Sequence, residues 1–329
     1  MSLKYNQAPI FIVGSPRSGT TLMRYCLNQH SNIFIPHETL FFAKVYGNRR
    51  LYPERSLAKY YTQLLDHLFY YGFSASSEFS KADFSQLKHQ LLLKVKAEVT
   101  TYQDFASTVF TELARQQGKT RWGEKTPGHV FYLSEIFELF PDAKVINMQR
   151  SPKNVISSFL KSSHVSNDFL GALAKYKMSI KAANKWKQSI LTIQYENLTH
   201  APEEALCQVC EYIDEAFEPS MLTPGMQDSS YEKEAVIFDK GIGIKPENRN
   251  KWKGVLTPYQ SELIDFVTKE SVESAHQVQK FQHIYLMDML KLACQELSFS
   301  LRLYKNRWGY QNIRGVLTHP SEYFLPGQL

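Results

Sequence analysis

The sequence predicts an α/β fold with a central parallel sheet, and three features of the chain support this class. Short apolar runs such as Ile10–Val13 and Val145–Met148 are rich in β-branched residues, as are strands that are buried on both faces of a sheet. Segments with apolar residues at helical spacing lie between these runs, which is the pattern of βαβ units. A glycine-bearing loop joins the first predicted strand directly to the first predicted helix.

The composition of the 329 residues limits the class of protein. A hydrophobic fraction of 43% and a charged fraction of 21% are ordinary for a soluble globular protein. The formal net charge of +6, without a long basic run, suits an anionic ligand and is too weak to indicate nucleic acid. We expect one domain over residues 1–329, with a helical insertion at about 53–118 and a helical C-terminal extension at about 258–329.

Targeting signals and cysteine usage bear on the cellular location. The first predicted strand begins within ten residues of Met1, which leaves no room for a signal peptide. No apolar run in the sequence approaches the length of a membrane span. Cys207 and Cys210 form one C-x-x-C pair, but no second pair completes a zinc site. The sequence therefore predicts a cytoplasmic protein without an integral membrane segment.

The loop after the first strand, Gly14–Thr21, has the spacing of the phosphate-binding motif G-x-x-x-x-G-K-[ST], except that Thr20 stands at the lysine position. Strand, glycine loop and helix together aim backbone N–H groups and a positive helix end at an anion. The missing lysine argues against ordinary phosphoryl transfer from Mg-ATP, while Arg17 keeps a cation in the loop. The predicted anion-binding residues are Ser15, Pro16, Arg17, Ser18, Gly19, Thr20 and Thr21.

A second short strand is predicted over Ser31–Pro36, and His37 and Glu38 follow it at once. Open α/β sheets carry their sites at the carboxyl ends of strands, so both side chains are candidates for the site. A carboxylate there could take the proton from an attacking hydroxyl. The imidazole of His37 is the alternative base, because it titrates near neutral pH without help.

Two further strand ends carry cations. Lys125 lies in a turn at the end of a short strand and before a Pro-initiated helix. Arg150 follows the strand Val145–Met148, and Ser158 lies eight residues later, about two turns into the next helix. A phosphate could span the gap between this guanidinium and this hydroxyl.

Together these segments resemble the family of sulfotransferases that use 3′-phosphoadenosine 5′-phosphosulfate (PAPS). PIFIVGSPRSGTTLMR resembles the family's 5′-phosphosulfate loop, and most of all the PRSGTT type of tyrosylprotein sulfotransferases and many bacterial relatives. RSPKNVISS resembles its 3′-phosphate motif. The resemblance extends in patches from about Pro9 to Trp252. It implies the three-layer fold of P-loop nucleoside triphosphate hydrolases, PAPS as cosubstrate, PAP (adenosine 3′,5′-bisphosphate) as product, and no metal.

The resemblance also implies roles for single residues. Glu38 matches the base glutamate of the family, Lys125 matches the lysine that bridges to the transferred sulfuryl group, and Arg17 joins them at the phosphosulfate. Arg150 and Ser158 match the residues that hold the 3′-phosphate.

Two later segments resemble further family blocks. YENL places Tyr195 near the nucleotide, with Glu196 as an internal hydrogen-bond partner. GIGIKPENRNKWKG resembles the segment that covers the cosubstrate. There Lys245 is a candidate for contacting the phosphosulfate, and Arg249 is a candidate for the 3′-phosphate.

The predicted function is transfer of a sulfuryl group from PAPS to a hydroxyl acceptor by in-line displacement, with a glutamate base. The acceptor class stays open among small molecules, carbohydrates, lipids and peptides, and so does a homodimer. One alternative is a P-loop nucleotide-binding protein or small-molecule kinase that uses ATP, although Gln149 and Arg150 stand where a metal-binding acid would be expected. A scaffold that has lost catalysis is a second alternative, disfavoured by the presence of Glu38 and Lys125.

Overall fold

A computed structural model of the protein describes residues 7–49, 52–68, 81–162, 168–223, 238–239, 243–244, 250–268 and 282–307. Its centre is a parallel five-stranded sheet with the strand order β2-β3-β1-β4-β5. The strands are β1 (Ile10–Gly14), β2 (Ile33–Phe34), β3 (Arg121–Lys125), β4 (Lys144–Gln149) and β5 (Leu191–Gln194). A separate antiparallel pair joins β6 (Phe238–Asp239) to β7 (Gly243–Ile244).

Helices pack on both faces of this sheet. They are α1 (Thr20–Asn28), α2 (Tyr61–Leu68), α3 (Lys81–Glu98), α4 (Tyr102–Gln116), α5 (Leu133–Leu139), α6 (Pro152–Lys161), α7 (Phe169–Asn184), α8 (Tyr195–His200), α9 (Pro202–Tyr212), α10 (Pro258–Thr268) and α11 (Gln282–Arg307). Helices α2, α3 and α4 occupy the segment predicted as a helical insertion. A short π-helical turn, Phe41–Val45, follows β2.

The central strand β1 divides the core into two clusters. Phe11 and Val13 face the cluster that contains the residues of α2, α3 and α4, while Ile10 and Ile12 face the cluster that contains the residues of α1 and α9. This alternation follows from the two-residue period of a strand. Both faces of the sheet are therefore covered, which explains why β1 is apolar throughout.

The second strand is shorter than the predicted Ser31–Pro36, because two side chains of α1 take over its backbone hydrogen bonds. Asn28 accepts a hydrogen bond from the Ile35 N–H at 2.8 Å and donates one to the Ile35 carbonyl at 2.9 Å. Arg24 donates to the same carbonyl at 2.9 Å. These bonds satisfy a buried backbone away from the ladder, so pairing with β3 stops at Phe34.

A third apolar cluster lies beside the sheet and joins α6, α7, α10 and α11 through residues such as Ile156, Leu173 and Leu263. Thr257 caps α10: its hydroxyl accepts from the Gln260 N–H, and the Gln260 side chain accepts from the Thr257 N–H. This reciprocal arrangement is a capping box, and it fixes the start of α10 at Pro258.

Candidate active site

The carboxyl ends of the strands bring the predicted residues to one edge of the sheet. Lys125 is the last residue of β3, Arg150 follows β4, and Tyr195 follows β5. The loop Gly14–Gly19 leaves β1, which lies between β3 and β4. Since neighbouring strands are about 4.8 Å apart, the ends of β3 and β4 lie about 10 Å apart on either side of this loop.

The loop has the backbone of an anion cradle. Arg17 and Gly19 have positive φ angles of 71° and 91°, and the Ser18 N–H donates to the Ser15 carbonyl at 3.2 Å. The first turn of α1 contains no acidic residue, so its N–H groups face the loop without a competing carboxylate. The Ser18 hydroxyl is buried and has no hydrogen-bond partner among the residues that the structure describes. An anion would satisfy these donors.

Glycine is required at position 19 for two reasons. Its φ of 91° is strained for any residue with a side chain, and an added Cβ would overlap the ring of Tyr195. The ring of Tyr195, which follows β5, therefore packs directly against the backbone of the loop.

The cations predicted for different parts of the ligand lie in one cluster. The Arg17 guanidinium donates to the Ser158 hydroxyl at 3.0 Å. Arg150 donates to the Arg17 carbonyl at 2.9 Å, and its guanidinium lies 4.5 Å from the centre of the Tyr195 ring. Two arginines, a serine and a tyrosine from four separate segments are thus packed around the cradle. Guanidinium groups of this kind suit phosphate recognition.

Glu38 and Lys125 form an ion pair on the other side of β1. The Lys125 ammonium donates to the Glu38 carboxylate at 2.8 Å; the lysine side chain is fully buried, and the glutamate side chain is 35% exposed. Burial raises the pKa of Glu38, but the Lys125 charge and hydrogen bond outweigh it and hold this pKa below the ordinary 4.5. Burial lowers the pKa of Lys125, and the Glu38 carboxylate opposes that shift. At neutral pH Glu38 is therefore ionised and able to accept a proton.

His37, the alternative base, is buried, with 6% of its surface exposed. Its charge contributes to the lowered pKa of Glu38. Of the two candidates, Glu38 is the more accessible to a molecule that arrives from solvent. The geometry therefore favours Glu38 as the group that an acceptor hydroxyl would meet.

A buried carboxylate that we had not predicted connects the two loops of this ion pair. Glu124, in β3, accepts hydrogen bonds from the Thr39 hydroxyl at 2.7 Å and the Thr126 hydroxyl at 2.6 Å. Nδ1 of His129 lies 2.8 Å from the same carboxylate. Burial raises the pKa of Glu124, but His129 and the two threonine hydroxyls outweigh it and hold the pKa below 4.5.

The Glu124 network fixes the residues next to the ion pair. Thr39 follows Glu38 and Thr126 follows Lys125 in the chain, so one buried carboxylate binds the neighbours of both. The Phe42 N–H donates to Nε2 of His129 at 3.3 Å, which leaves Nδ1 as the nitrogen that carries the hydrogen towards Glu124. The sequence contains one indication of the role of Glu124: a glutamate within a buried strand requires hydrogen-bond or ion-pair partners.

The candidate cover of the site is described only in part. Lys245 and Arg249 lie outside the described residues. Trp252 packs on α6, with the Lys153 ammonium 4.7 Å from its ring centre, and Lys153 also pairs with Asp265 of α10 at 2.6 Å. Glu196 accepts from the Ser151 N–H at 2.9 Å, which confirms its predicted part as an internal hydrogen-bond partner.

A model of the sulfotransferase family matches residues 9–219, which is more than half of the chain and includes both site clusters. The chain belongs to the sulfotransferase family. Membership confirms the predicted resemblance.

No helix in the described part of the chain is long and apolar enough to cross a membrane. The same described residues contain no group of three His, Cys, Asp or Glu side chains that could hold a metal ion.

Two curated relatives are distant in sequence. An "Uncharacterized protein" of Aquifex aeolicus (strain VF5) is 24% identical over 260 residues, which are 75% of this chain and 31% of that protein. A "Putative protein-tyrosine sulfotransferase" of Caenorhabditis briggsae is 23% identical over 224 residues, which are 65% of this chain and 68% of that protein. The aligned part is thus about a third of the first relative's length.

Two solved sulfotransferase domains share the fold. One, from the Synechococcus PCC 7002 olefin synthase, has a TM-score of 0.54 at 20% identity and covers 83% of this chain and 98% of that domain. The other, from the curacin biosynthetic pathway, has a TM-score of 0.52 at 22% identity and covers 80% and 98%. This likeness confirms the predicted α/β fold of the P-loop type.

Proposed function

We propose that the protein transfers a sulfuryl group from PAPS to a hydroxyl acceptor. The observation that carries the proposal is the arrangement of two clusters about β1: a cradle with Arg17, Arg150 and Ser158 on one side, and the Glu38–Lys125 pair on the other. Family membership supports the transferase class. A donor that carries a 3′-phosphate and a 5′-phosphosulfate on one ribose would account for the cations near the cradle.

The donor-binding residues divide by position. In this proposal the loop backbone, with Ser15, Pro16, Ser18, Gly19, Thr20 and Thr21, holds the 5′-phosphosulfate. Arg150 and Ser158 hold the 3′-phosphate, and Arg17, which contacts Ser158 at 3.0 Å, joins the two anion sites. The Tyr195 ring lines the nucleotide site. Lys245 and Arg249 complete the cover as phosphosulfate and 3′-phosphate ligands.

Glu38 and Lys125 would carry the chemistry. The acceptor oxygen forms a bond to sulfur, its proton passes to Glu38, and the bond from sulfur to the phosphate oxygen breaks with its electron pair, so that PAP leaves. The buried ammonium of Lys125 stabilises the negative charge that develops on the bridging oxygen and the sulfuryl group. No step requires a redox partner.

The ion pair also explains why the base would act only when the donor is bound. Without the donor, Lys125 holds Glu38 in an ion pair at 2.8 Å and keeps its pKa low, which makes the carboxylate a weak base. An anionic donor would compete for the same ammonium. Glu38 would then be released to accept a proton.

Glu124 acts as a positioning residue in this proposal. It binds Thr39 and Thr126, whose neighbours in the chain are the base and the ammonium. Because transfer requires reacting groups within a few tenths of an ångström of their productive positions, a buried link between the two loops favours a fixed geometry.

Binding of PAP, AMP and Mg-ATP by isothermal titration tests the donor assignment. We expect PAP to bind more tightly than AMP, and Arg150→Ala to weaken PAP far more than AMP. Lys161→Ala, an exposed cation on the same helix as Ser158, controls for general loss of charge. Equal weakening of PAP and AMP would overturn the 3′-phosphate assignment, and preference for Mg-ATP would favour the kinase alternative. Binding of PAP without any transfer would favour the scaffold.

A further inference from the structure

Helix α11 packs on the protein with one of its faces. Leu292 is 1% exposed and joins the apolar cluster of α6, α7 and α10. Phe299 contacts Phe131 edge to face at 5.0 Å between ring centres, and Glu296 pairs with Lys177 of α7 at 2.8 Å. These positions recur at helical spacing and form a single inner face.

A second apolar face lies on the outside of the same helix. Leu286, Met287, Leu290, Leu297 and Leu301 are 55%, 59%, 54%, 62% and 52% exposed. At 100° per residue, this outer stripe is centred about 155° around the helix from the inner face. The remaining sector is polar; among its residues are Asp288, Lys291, Gln295, Ser298 and Arg302.

Two apolar faces on one helix indicate two partners. A surface helix needs one apolar stripe, which it buries against the core, and α11 already has that contact through Leu292. The outer stripe exposes roughly 500 Å² of apolar surface in one continuous band, which is at the upper end of what monomers expose. A band of this size indicates an interaction surface.

The order of side chains in the outer stripe is nearly the same when it is read in either direction along the helix, so two copies of the stripe are complementary. About a centre between Ala293 and Cys294, Leu290 is the counterpart of Leu297, and Leu286 is the counterpart of Leu301. Small side chains thus lie at the centre and leucines lie on both sides. In a two-fold interface residue i contacts j while j contacts i, which this near-palindrome satisfies when the two helices run antiparallel.

We infer that two copies of the chain associate through the outer stripe of α11, packed antiparallel, with the two-fold axis near Cys294. The five side chains of the outer stripe are all apolar and uncharged, so we expect its partner surface to be apolar. The stripe offers no charge that would attract an oppositely charged partner. Two such stripes together bury roughly 1,000 Å², which reaches the lower limit for a specific interface. The inference does not depend on the proposed sulfuryl transfer.

The mass in solution, measured by light scattering after size exclusion, tests the inference. We expect the wild type to have twice the mass of one chain at micromolar concentration, and Leu297→Lys to have the mass of one chain. Ser298→Lys is the matched control, because the same substitution one position along falls on the polar sector and should leave the dimer intact. Unchanged circular dichroism shows that both variants fold.

Thiol cross-linking tests the same interface without disturbing it. Cys294 and Cys207 are both exposed, but only Cys294 lies at the inferred axis. A short bismaleimide should link two chains in the wild type and in Cys207→Ser, and should fail in Cys294→Ser. A monomeric wild type would overturn the inference and leave the stripe to residues 308–329 or to another macromolecule. A dimer that survives Leu297→Lys, or a link that requires Cys207, would also overturn it.

Discussion

Replacing Glu124 with glutamine tests whether one buried carboxylate fixes the two loops that carry Glu38 and Lys125. The carboxylate is fully buried and is contacted by Thr39, Thr126 and His129 at 2.6 to 2.8 Å. An amide offers an acceptor oxygen and an NH₂ donor, so it cannot accept from all three. If His129 changes tautomer to suit the amide, its Nε2 becomes a donor that faces the Phe42 N–H. Either way a buried donor loses its acceptor.

The cost follows from this count of bonds. A hydrogen bond to a charged group contributes about 1.5–3 kcal/mol, and an unsatisfied buried donor costs about 1–3 kcal/mol. We therefore expect Glu124→Gln to lower the free energy of unfolding by about 3–5 kcal/mol, the range for breaking a buried charged network. If Glu38 is the base, as proposed, its displacement by about 1 Å should lower kcat by about a hundredfold.

Thermal unfolding, PAP affinity and kcat should be measured on this variant and on Glu112→Gln. Glu112 is another glutamate with a buried side chain held by cations, Lys94 and Arg115, but it lies on α4 away from the strand ends. We expect both variants to lose stability and only Glu124→Gln to lose kcat, with the affinity for PAP retained in both. If Glu124→Gln keeps its kcat, the network is structural and the positioning role is refuted.

Three further predictions concern single residues. Glu38→Gln should lower kcat by about 10²–10⁴, the contribution of a general base, while calorimetry shows nearly unchanged PAP affinity. In the wild type, kcat/KM should fall on the acid side only below pH 4.5, because the Lys125 charge holds the pKa of Glu38 below its ordinary value. Gly19→Ala should weaken PAP binding at least tenfold in the same titration, because a Cβ overlaps Tyr195; unchanged affinity would contradict the packing of the loop. The pKa of Glu112 is lowered from 4.5 to about 2, so it stabilises the fold above pH 4.5, and this contribution is lost as the pH falls towards 2. Denaturant unfolding of Glu112→Gln should show about 2 kcal/mol less dependence on pH in that window, allowing for the exposed partners.

The place of the candidate site was largely predictable because its residues follow strands. Each strand is a short apolar run that can be read from the sequence, and parallel strands end at one edge. Lys125 and Arg150 were therefore expected at the same edge, and the family resemblance placed Tyr195 near the nucleotide. In the structure all three follow or end strands at that edge. The contact of Arg17 with Ser158 could not be predicted, because it depends on how a loop and a helix 141 residues apart in sequence pack together.

Other features depend on tertiary packing that the sequence does not display. The predicted second strand was too long because Asn28, a helix residue, takes its backbone bonds. Glu124 was overlooked because its partners Thr126 and His129 resemble ordinary turn residues. The extension after residue 258 contains α10 and α11 as predicted helices, but the two apolar faces of α11 became apparent only when Leu292 was found to pack inward.

The most direct test of the central claim is to follow labelled sulfur from PAPS. The protein is incubated with PAPS labelled in the sulfuryl group, without added Mg²⁺, and with acceptors drawn from phenols, alcohols, sugars, lipids and peptides. We predict that PAP and a sulfated hydroxyl product form in equal amounts, and that Glu38→Gln forms neither while still binding PAP. If PAP binds to the wild type but the label never leaves PAPS, for any acceptor class or for water, the claim of sulfuryl transfer is contradicted.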